Sequence, residues 1–396
     1  MTGRLRTVFA LLTAAGLVAS ACSSSSATTA PTAMAPTAGA PTAAAPTAAA
    51  PTGAPTAATA ALKIGVVTDV GRVDDKNFNQ YSYEGAVAAG KALGATVNYA
   101  VPKDASDYAR LIQGFIDQRY DIIVTVGFNL GIDTMTLAEG NPAVWFIAVD
   151  VAPCVDTTGA PTYPPGCTGD PSKFLPKFIG IQFEEDQAGY FAGLVAAAVS
   201  KTGKIGQLGG INNNPAVVRY LQGYQIGAKA YNPNINVQTA FFSTGDITKA
   251  YGDPTWGKTF SDQFIDTQKV DVVFQVAGAT GNGALDSACA KKIIGIGVDV
   301  DQYLSYPSAD ACIVTSAEKH LSSAVQQTIA KIAGGTAKSG IAKFDATNDG
   351  VGYSPFHNTA ITLPADLQGK LDAALAGMKA GTLKTCPDTC GTWSGS

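Results

Sequence analysis

From Leu62 onward, short apolar runs alternate with longer amphipathic stretches. Runs rich in Val, Ile and Phe predict strands at Leu62–Thr68, Thr96–Ala100, Ile122–Val126, Trp145–Val149, Phe178–Ile181, Ile205–Leu208, Val237–Phe242, Val270–Gln275, Ile293–Val298 and Cys312–Thr315. Helical spacing predicts helices between them, among others at Asn77–Leu93, Tyr108–Gln118, Glu184–Ser200, Pro215–Tyr231, Trp256–Asp266 and Glu318–Ala333. Continuous short runs of this kind suit parallel strands buried on both faces. Strict β/α alternation implies parallel sheets with right-handed crossovers. Ten strands exceed what one compact sheet ordinarily carries, so an α/β fold with two open sheets, one per lobe, is expected.

Ligands of such sheets bind beyond the carboxyl ends of the strands, and unusual residues collect there. The first strand runs into Asp69, followed by Asp74, Asp75, Phe78 and Asn79; the fourth ends at Asp150. Later strands run out into Gln275–Gly283, which includes Gly278, and into Asp299, while Lys319 follows the last. Carboxylates gathered in a cleft need donors, because an uncompensated buried carboxylate is costly. The adjacent hydroxyls of a sugar are suitable donors, and on this reading Asp69, Asp150 and Asp299 face a ligand with Lys319 nearby. Asp74 and Asp75 read as caps of the following helix instead.

Composition changes the picture at the amino end. Arg4 and Arg6 precede an apolar stretch, Val8–Ala21, that ends in small residues before Cys22. That stretch is shorter than the roughly 20 residues a membrane span needs, so residues 1–22 read as a secretory signal. Its end resembles a lipobox, with Ala19 in place of the usual leucine, which makes Cys22 the expected lipidation site and the membrane the expected anchor. Residues 23–60 are almost entirely Ala, Pro, Thr, Ser and Gly, with no charge between Arg6 and Lys63. Such a segment cannot offset its ordering entropy and is expected to serve as an extended tether. The remainder, in a chain with 46% hydrophobic and 15% charged residues, suffices for a large core. A formal charge of −4 gives no basic footprint for nucleic acid.

Seven cysteines less Cys22 leave six, which fall in neighbouring pairs: Cys154 with Cys167, Cys289 with Cys312, and Cys386 with Cys390. In an exported chain this pattern favours disulfides over zinc, since paired CxxC ligands are lacking and the only histidines are His320 and His357. Gly252–Thr259 matches GxxxxGK followed by Ser or Thr. A phosphate loop springs directly from a strand, whereas this one follows the predicted strand end at Phe242 by several residues, so the match reads as accidental. No nucleophile elbow or HExxH motif is present, and neither catalysis, nor a metal, nor a cofactor is expected.

The segment TDVGRVDDKNFNQYSYEG resembles the first ligand loop of the basic membrane protein family, the receptors of nucleoside ABC importers. GIQFEEDQAGYFAG, VFQVAGATGNG, GVDVDQY, TSAEK and NDGVGYSPFHN are similar to further family segments in the same order. The resemblance runs from Leu62 towards the carboxyl end. It implies two Rossmann-like lobes of the type I periplasmic-binding-protein fold, joined by hinge crossings and closing on a ligand, with an ABC permease and ATPase as partners of a monomeric receptor. Lobe 1 is expected to hold residues 61–176 with about 300–318, and lobe 2 residues 177–299 with about 319–396. Carried across, the family pattern makes Phe78 and Tyr251 the two faces of an aromatic sandwich around a base, the latter standing where phenylalanine is usual. It places Asp69, Asn79, Asp150 and Gly278 around the ligand, Asp299 on ribose hydroxyls and Lys319 beside it. A purine nucleoside is the implied ligand; riboflavin, a sugar, another small polar solute or a sensory role are the alternatives. The segments Cys154–Lys177 and Thr244–Tyr251 and the cysteine-bearing tail fall outside the resemblance.

Overall fold

The computed structural model describes residues 61–394; Cys22, the expected signal segment and the expected tether lie outside them. Twelve strands follow in chain order: β1 (Lys63–Val67), β2 (Thr96–Ala100), β3 (Ile122–Val126), β4 (Trp145–Val149), β5 (Phe178–Phe183), β6 (Lys204–Gly209), β7 (Asn236–Phe241), β8 (Val272–Val276), β9 (Ile294–Asp299), β10 (Ile313–Lys319), β11 (Gly340–Phe344) and β12 (Val351–Tyr353). They form two six-stranded sheets, ordered β11-β5-β4-β3-β1-β2 and β12-β10-β9-β8-β6-β7. Neighbours pair in parallel except β12, which runs antiparallel to β10. The central strands β3 and β8 are buried at every position, as strands covered by helices on both faces must be. The expected α/β fold of two open sheets is what the chain adopts.

The expected lobe boundaries need correction. β5 pairs with β4 in the first sheet and β10 with β9 in the second, so 178–183 belongs to lobe 1 and 313–318 to lobe 2, the reverse of the expectation. Within 319–396, the helix Leu321–Ala333 packs on the helix Phe78–Leu93, and β11 joins the first sheet, so this stretch is divided between the lobes. The chain therefore passes between the sheets three times: after Phe183, after Lys319, and between Phe344 and Val351. Strand partners are a long-range choice, and local hydrophobicity does not record them.

Two details set the site. The helix Glu185–Val199 is buried on nearly all faces, as its AGYFAGLVAAAV sequence requires. It lies so close to the helix Pro215–Tyr231 that a Cβ on Gly189 or Gly193 would stand 2.1 Å from the carbonyl oxygens of Tyr220 and Tyr224. Gly223 and Gly227 answer from the other side, with carbonyls of Asp186 and Tyr190 at 2.0 and 2.1 Å. This crossing fixes Tyr220 and Glu185 relative to each other. Second, the expected helix at Glu318 begins only at Leu321, because β10 continues through Lys319. Lys319 therefore ends a strand, facing inward, rather than opening a helix.

Disulfides join Cys154 to Cys167, Cys289 to Cys312 and Cys386 to Cys390. Asp186 stands beside the last pair, but those two sulfurs bond each other and offer no thiolate. Among the described residues no helix is long and apolar enough to cross a membrane.

Candidate functional site

Where β1, β3 and β4 of lobe 1 run out towards β8, β9 and β10 of lobe 2, a cavity encloses about 620 Å³ of free space, its open mouth included. All eight residues singled out in the sequence line it: Asp69, Phe78, Asn79, Asp150, Tyr251, Gly278, Asp299 and Lys319. Others there were not anticipated, notably Phe128, Asn214 and Tyr220; the Val217–Tyr220 turn reads simply as a helix face in the sequence.

Asp150 and Asp299 end topologically equivalent strands, β4 and β9, and both adopt left-handed backbone, with φ of 63° and 65°. Aspartate tolerates that region better than most residues, and the twist turns each carboxylate off its strand and into the cleft. Asp69 is braced from the first loop: its Oδ1 accepts from Gly71 N at 2.9 Å and from Asn79 Nδ2 at 3.0 Å. Asn79 Nδ2 also donates to Asp75 Oδ2 at 2.9 Å, so its amide orders two carboxylates at once. Asp75 is both a cap and a cavity residue, accepting from Asn77 N at 2.8 Å, Asn79 N at 3.2 Å and Gln80 N at 3.1 Å. Asp74 is no cap; it lies exposed in an ion pair with Arg72.

Lys319 is almost wholly buried. Its Nζ donates to Asp150 Oδ2 at 2.6 Å and lies 3.2 Å from Glu185 Oε1, with the rings of Phe183, Phe78 and Tyr220 between 5.2 and 5.6 Å away. Burial alone would lower its pKa, but the combined pull of Asp150, Glu185 and Asp299 outweighs it and holds the ammonium above the usual lysine range. Glu185 was missed in the sequence because GIQFEED reads as an acidic helix start; it is buried, and burial pushes its carboxyl up against the opposing pull of Lys319. Burial likewise pushes Asp69 and Asp299 up to about 6, opposed at Asp69 by the Gly71 and Asn79 bonds and at Asp299 by Lys319.

Not all the carboxylate oxygens are used within the protein. Tyr220 donates to Asp299 Oδ1 at 3.2 Å, and Asp150 Oδ1 has no hydrogen-bond partner among the described residues. Phe78 and Tyr251 are half-buried, each packed against the main core while lining the cavity. The Tyr251 hydroxyl accepts from Asn214 Nδ2 at 3.2 Å, and its backbone closes on Gly278, where φ is 52°. A flat apolar surface beside charged acceptors suits a heterocycle joined to a group rich in hydroxyls.

Lys258 of the GxxxxGK match is elsewhere. Asp253 caps the helix Pro254–Gln268 through Trp256 N, and Lys258 pairs with Asp262 at 2.9 Å along that helix. Gly257 is needed for packing, since a Cβ there would meet Thr280 O at 1.9 Å.

The sequence pattern of the Bmp family, ABC transporter substrate-binding protein PnrA-like, matches residues 62–370. The chain belongs to this family. It is 28% identical over 330 residues to the ABC transporter nucleoside-binding protein BmpA of Lactococcus lactis, covering 78% of this chain and 86% of that one. It is 28% identical over 270 residues to Basic membrane protein A of Borreliella burgdorferi, covering 66% and 70%. Among solved structures, an ABC transporter solute-binding protein from Aeropyrum pernix superposes with a TM-score of 0.67 over 83% of this chain and 94% of that one, at 21% identity. The fold is thus the type I solute-binding fold, and this Bmp-family chain is a substrate-binding protein of an ABC transporter rather than an enzyme.

Proposed function

We propose that the protein captures an unphosphorylated nucleoside, a purine nucleoside in the first place, and presents it to an ABC permease and its ATPase. One observation carries this reading: a single cavity places half-buried aromatic rings beside strand-end carboxylates that still have accepting oxygens. Phe78 and Tyr251 are assigned the base, and Asp299, with Asp69 and Asp150, the ribose hydroxyls. Four aspartates, Asp69, Asp75, Asp150 and Asp299, face the cavity against one lysine. A phosphate would meet net repulsion there, so a nucleotide is disfavoured. Titration calorimetry with inosine, guanosine and adenosine, their monophosphates, riboflavin and ribose tests the reading. One-to-one binding of a nucleoside with rejection of its monophosphate is expected; binding of riboflavin or ribose alone would refute it.

Protonation gives a second check. A ligand hydroxyl donates to a carboxylate and not to a carboxylic acid's proton, so binding favours the ionised form. With burial holding both Asp69 and Asp299 near 6 in the free protein, affinity should fall as pH drops through that value, by up to about tenfold for each group between pH 7.5 and 5. Asp299→Asn should make that profile shallower, leaving the part that Asp69 carries. A profile equally steep in the variant would locate the titrating group elsewhere.

We further propose that Cys22 carries a lipid anchor and that residues 23–60 hold the folded part away from the membrane. Cys22→Ala should move the exported protein from the membrane fraction to the soluble one; continued sedimentation with membranes would contradict the anchor.

A further inference from the structure

The segment Cys154–Lys177, between Asp150 and β5, lines no part of the cavity, and the family resemblance does not explain it, yet it is firmly rooted. The Cys154–Cys167 disulfide closes it, Thr162 N donates to Cys154 O at 3.0 Å, and Gly169 N donates to Val155 O at 2.9 Å. Val155 and Leu175 are buried in the same apolar cluster as Leu130 and Met135 of lobe 1.

From this rooted loop Tyr163 reaches the cavity wall from behind. Its ring stacks on Phe128, with centroids 4.6 Å apart and planes 29° from parallel, and its hydroxyl donates to Phe128 O at 2.9 Å. The seat is made by Gly131, where a Cβ would stand 2.8 Å from that hydroxyl. Phe128 begins the single turn after β3 and lines the cavity. Tyr163 therefore grips both the ring and the backbone of one ligand-facing residue, while touching no cavity surface itself.

We propose that Tyr163 is a positioning residue for ligand recognition: the disulfide-closed loop, through Tyr163, fixes Phe128 as a further aromatic wall of the cavity. This rests on the nucleoside reading above. A wall held from behind loses little freedom when the ligand arrives, and that preorganisation appears as affinity. Without Tyr163, Phe128 sits on a short turn with one face of its ring released, and closing on the base must order it.

The test is a double-substitution cycle in the full chain, with inosine, guanosine and adenosine as probes in calorimetry. Tyr163→Ala should weaken nucleoside binding about tenfold, the combined effect of a lost stacked pair and a lost hydrogen bond. In a Phe128→Leu chain the same change should alter affinity less than about twofold, because the residue it positions is gone. Tyr163→Phe keeps the stack and should recover most of the affinity; it also serves should the alanine variant not fold. Unchanged affinity in a folded Tyr163→Ala protein, or an equal loss in both backgrounds, overturns the proposal and leaves the nucleoside reading intact. If the unsubstituted chain binds none of the three nucleosides, the nucleoside reading fails and this proposal with it.

Discussion

Lys319→Met is expected to destabilise the protein by about 3–5 kcal/mol at neutral pH, the cost of removing one partner from a buried ion cluster. The ammonium lies 2.6 Å from Asp150 and 3.2 Å from Glu185, and all three side chains are almost fully buried. Methionine fills similar volume and packs against Phe78, Phe183 and Tyr220, so the loss measured is electrostatic and not a cavity effect. The sign with pH follows from the carboxyls. Without lysine, the burial that already pushes the Glu185 carboxyl up meets less opposing pull, so the variant should lose stability as pH rises through the ordinary carboxylate range and regain it in acid. Adding Glu185→Gln should restore part of the loss by removing a buried charge left with Arg219 alone, 3.6 Å away. Urea unfolding at pH 5 and 7.5 reads all of this. A loss below about 1 kcal/mol at pH 7.5 would mean that solvent already screens the cluster.

Asp299→Ala is expected to weaken nucleoside binding about ten- to 150-fold, corresponding to about 1.5–3 kcal/mol for hydroxyls left without a charged acceptor. The position needs care, because Asp299 holds a φ of 65°, where alanine is strained by about 1–2 kcal/mol. Asparagine tolerates that backbone, so Asp299→Asn separates the lost charge from the lost fold and should show the smaller affinity loss. Lys258→Ala is the matched control: it breaks a partly exposed i,i+4 pair and should leave affinity unchanged. Loss of binding in Lys258→Ala with none in Asp299→Ala would put the ligand in the wrong part of the molecule.

Much of this was legible in the sequence, for definable reasons. β3 and β4 coincide with their apolar runs because a strand buried on both faces leaves an uninterrupted Val/Ile signature. Asp150 and Asp299 were visible because each directly follows such a run. What escaped depends on distant partners. β11 and β12 are edge strands, the first alternating Gly340–Phe344 and the second only Val351–Tyr353, too short to register as apolar runs. β5 and β10 are assigned to their sheets by pairing, which local pattern does not encode. Glu185 acquires meaning through Lys319 and Arg219, both distant in the chain, and Tyr163 through Phe128. The GxxxxGK match shows the converse: its second glycine and lysine serve helix packing and a surface pair.

The measurement closest to the central claim needs no choice of candidate ligands. The chain lacking residues 1–60, purified without denaturation and then unfolded, should release its bound small molecule for mass spectrometry. An unphosphorylated purine nucleoside, lost from preparations carrying Asp299→Ala, is the expected result. A sugar, a flavin or an amino acid released in its place would contradict the assignment of Phe78 and Tyr251 to a base and of Asp299 to ribose.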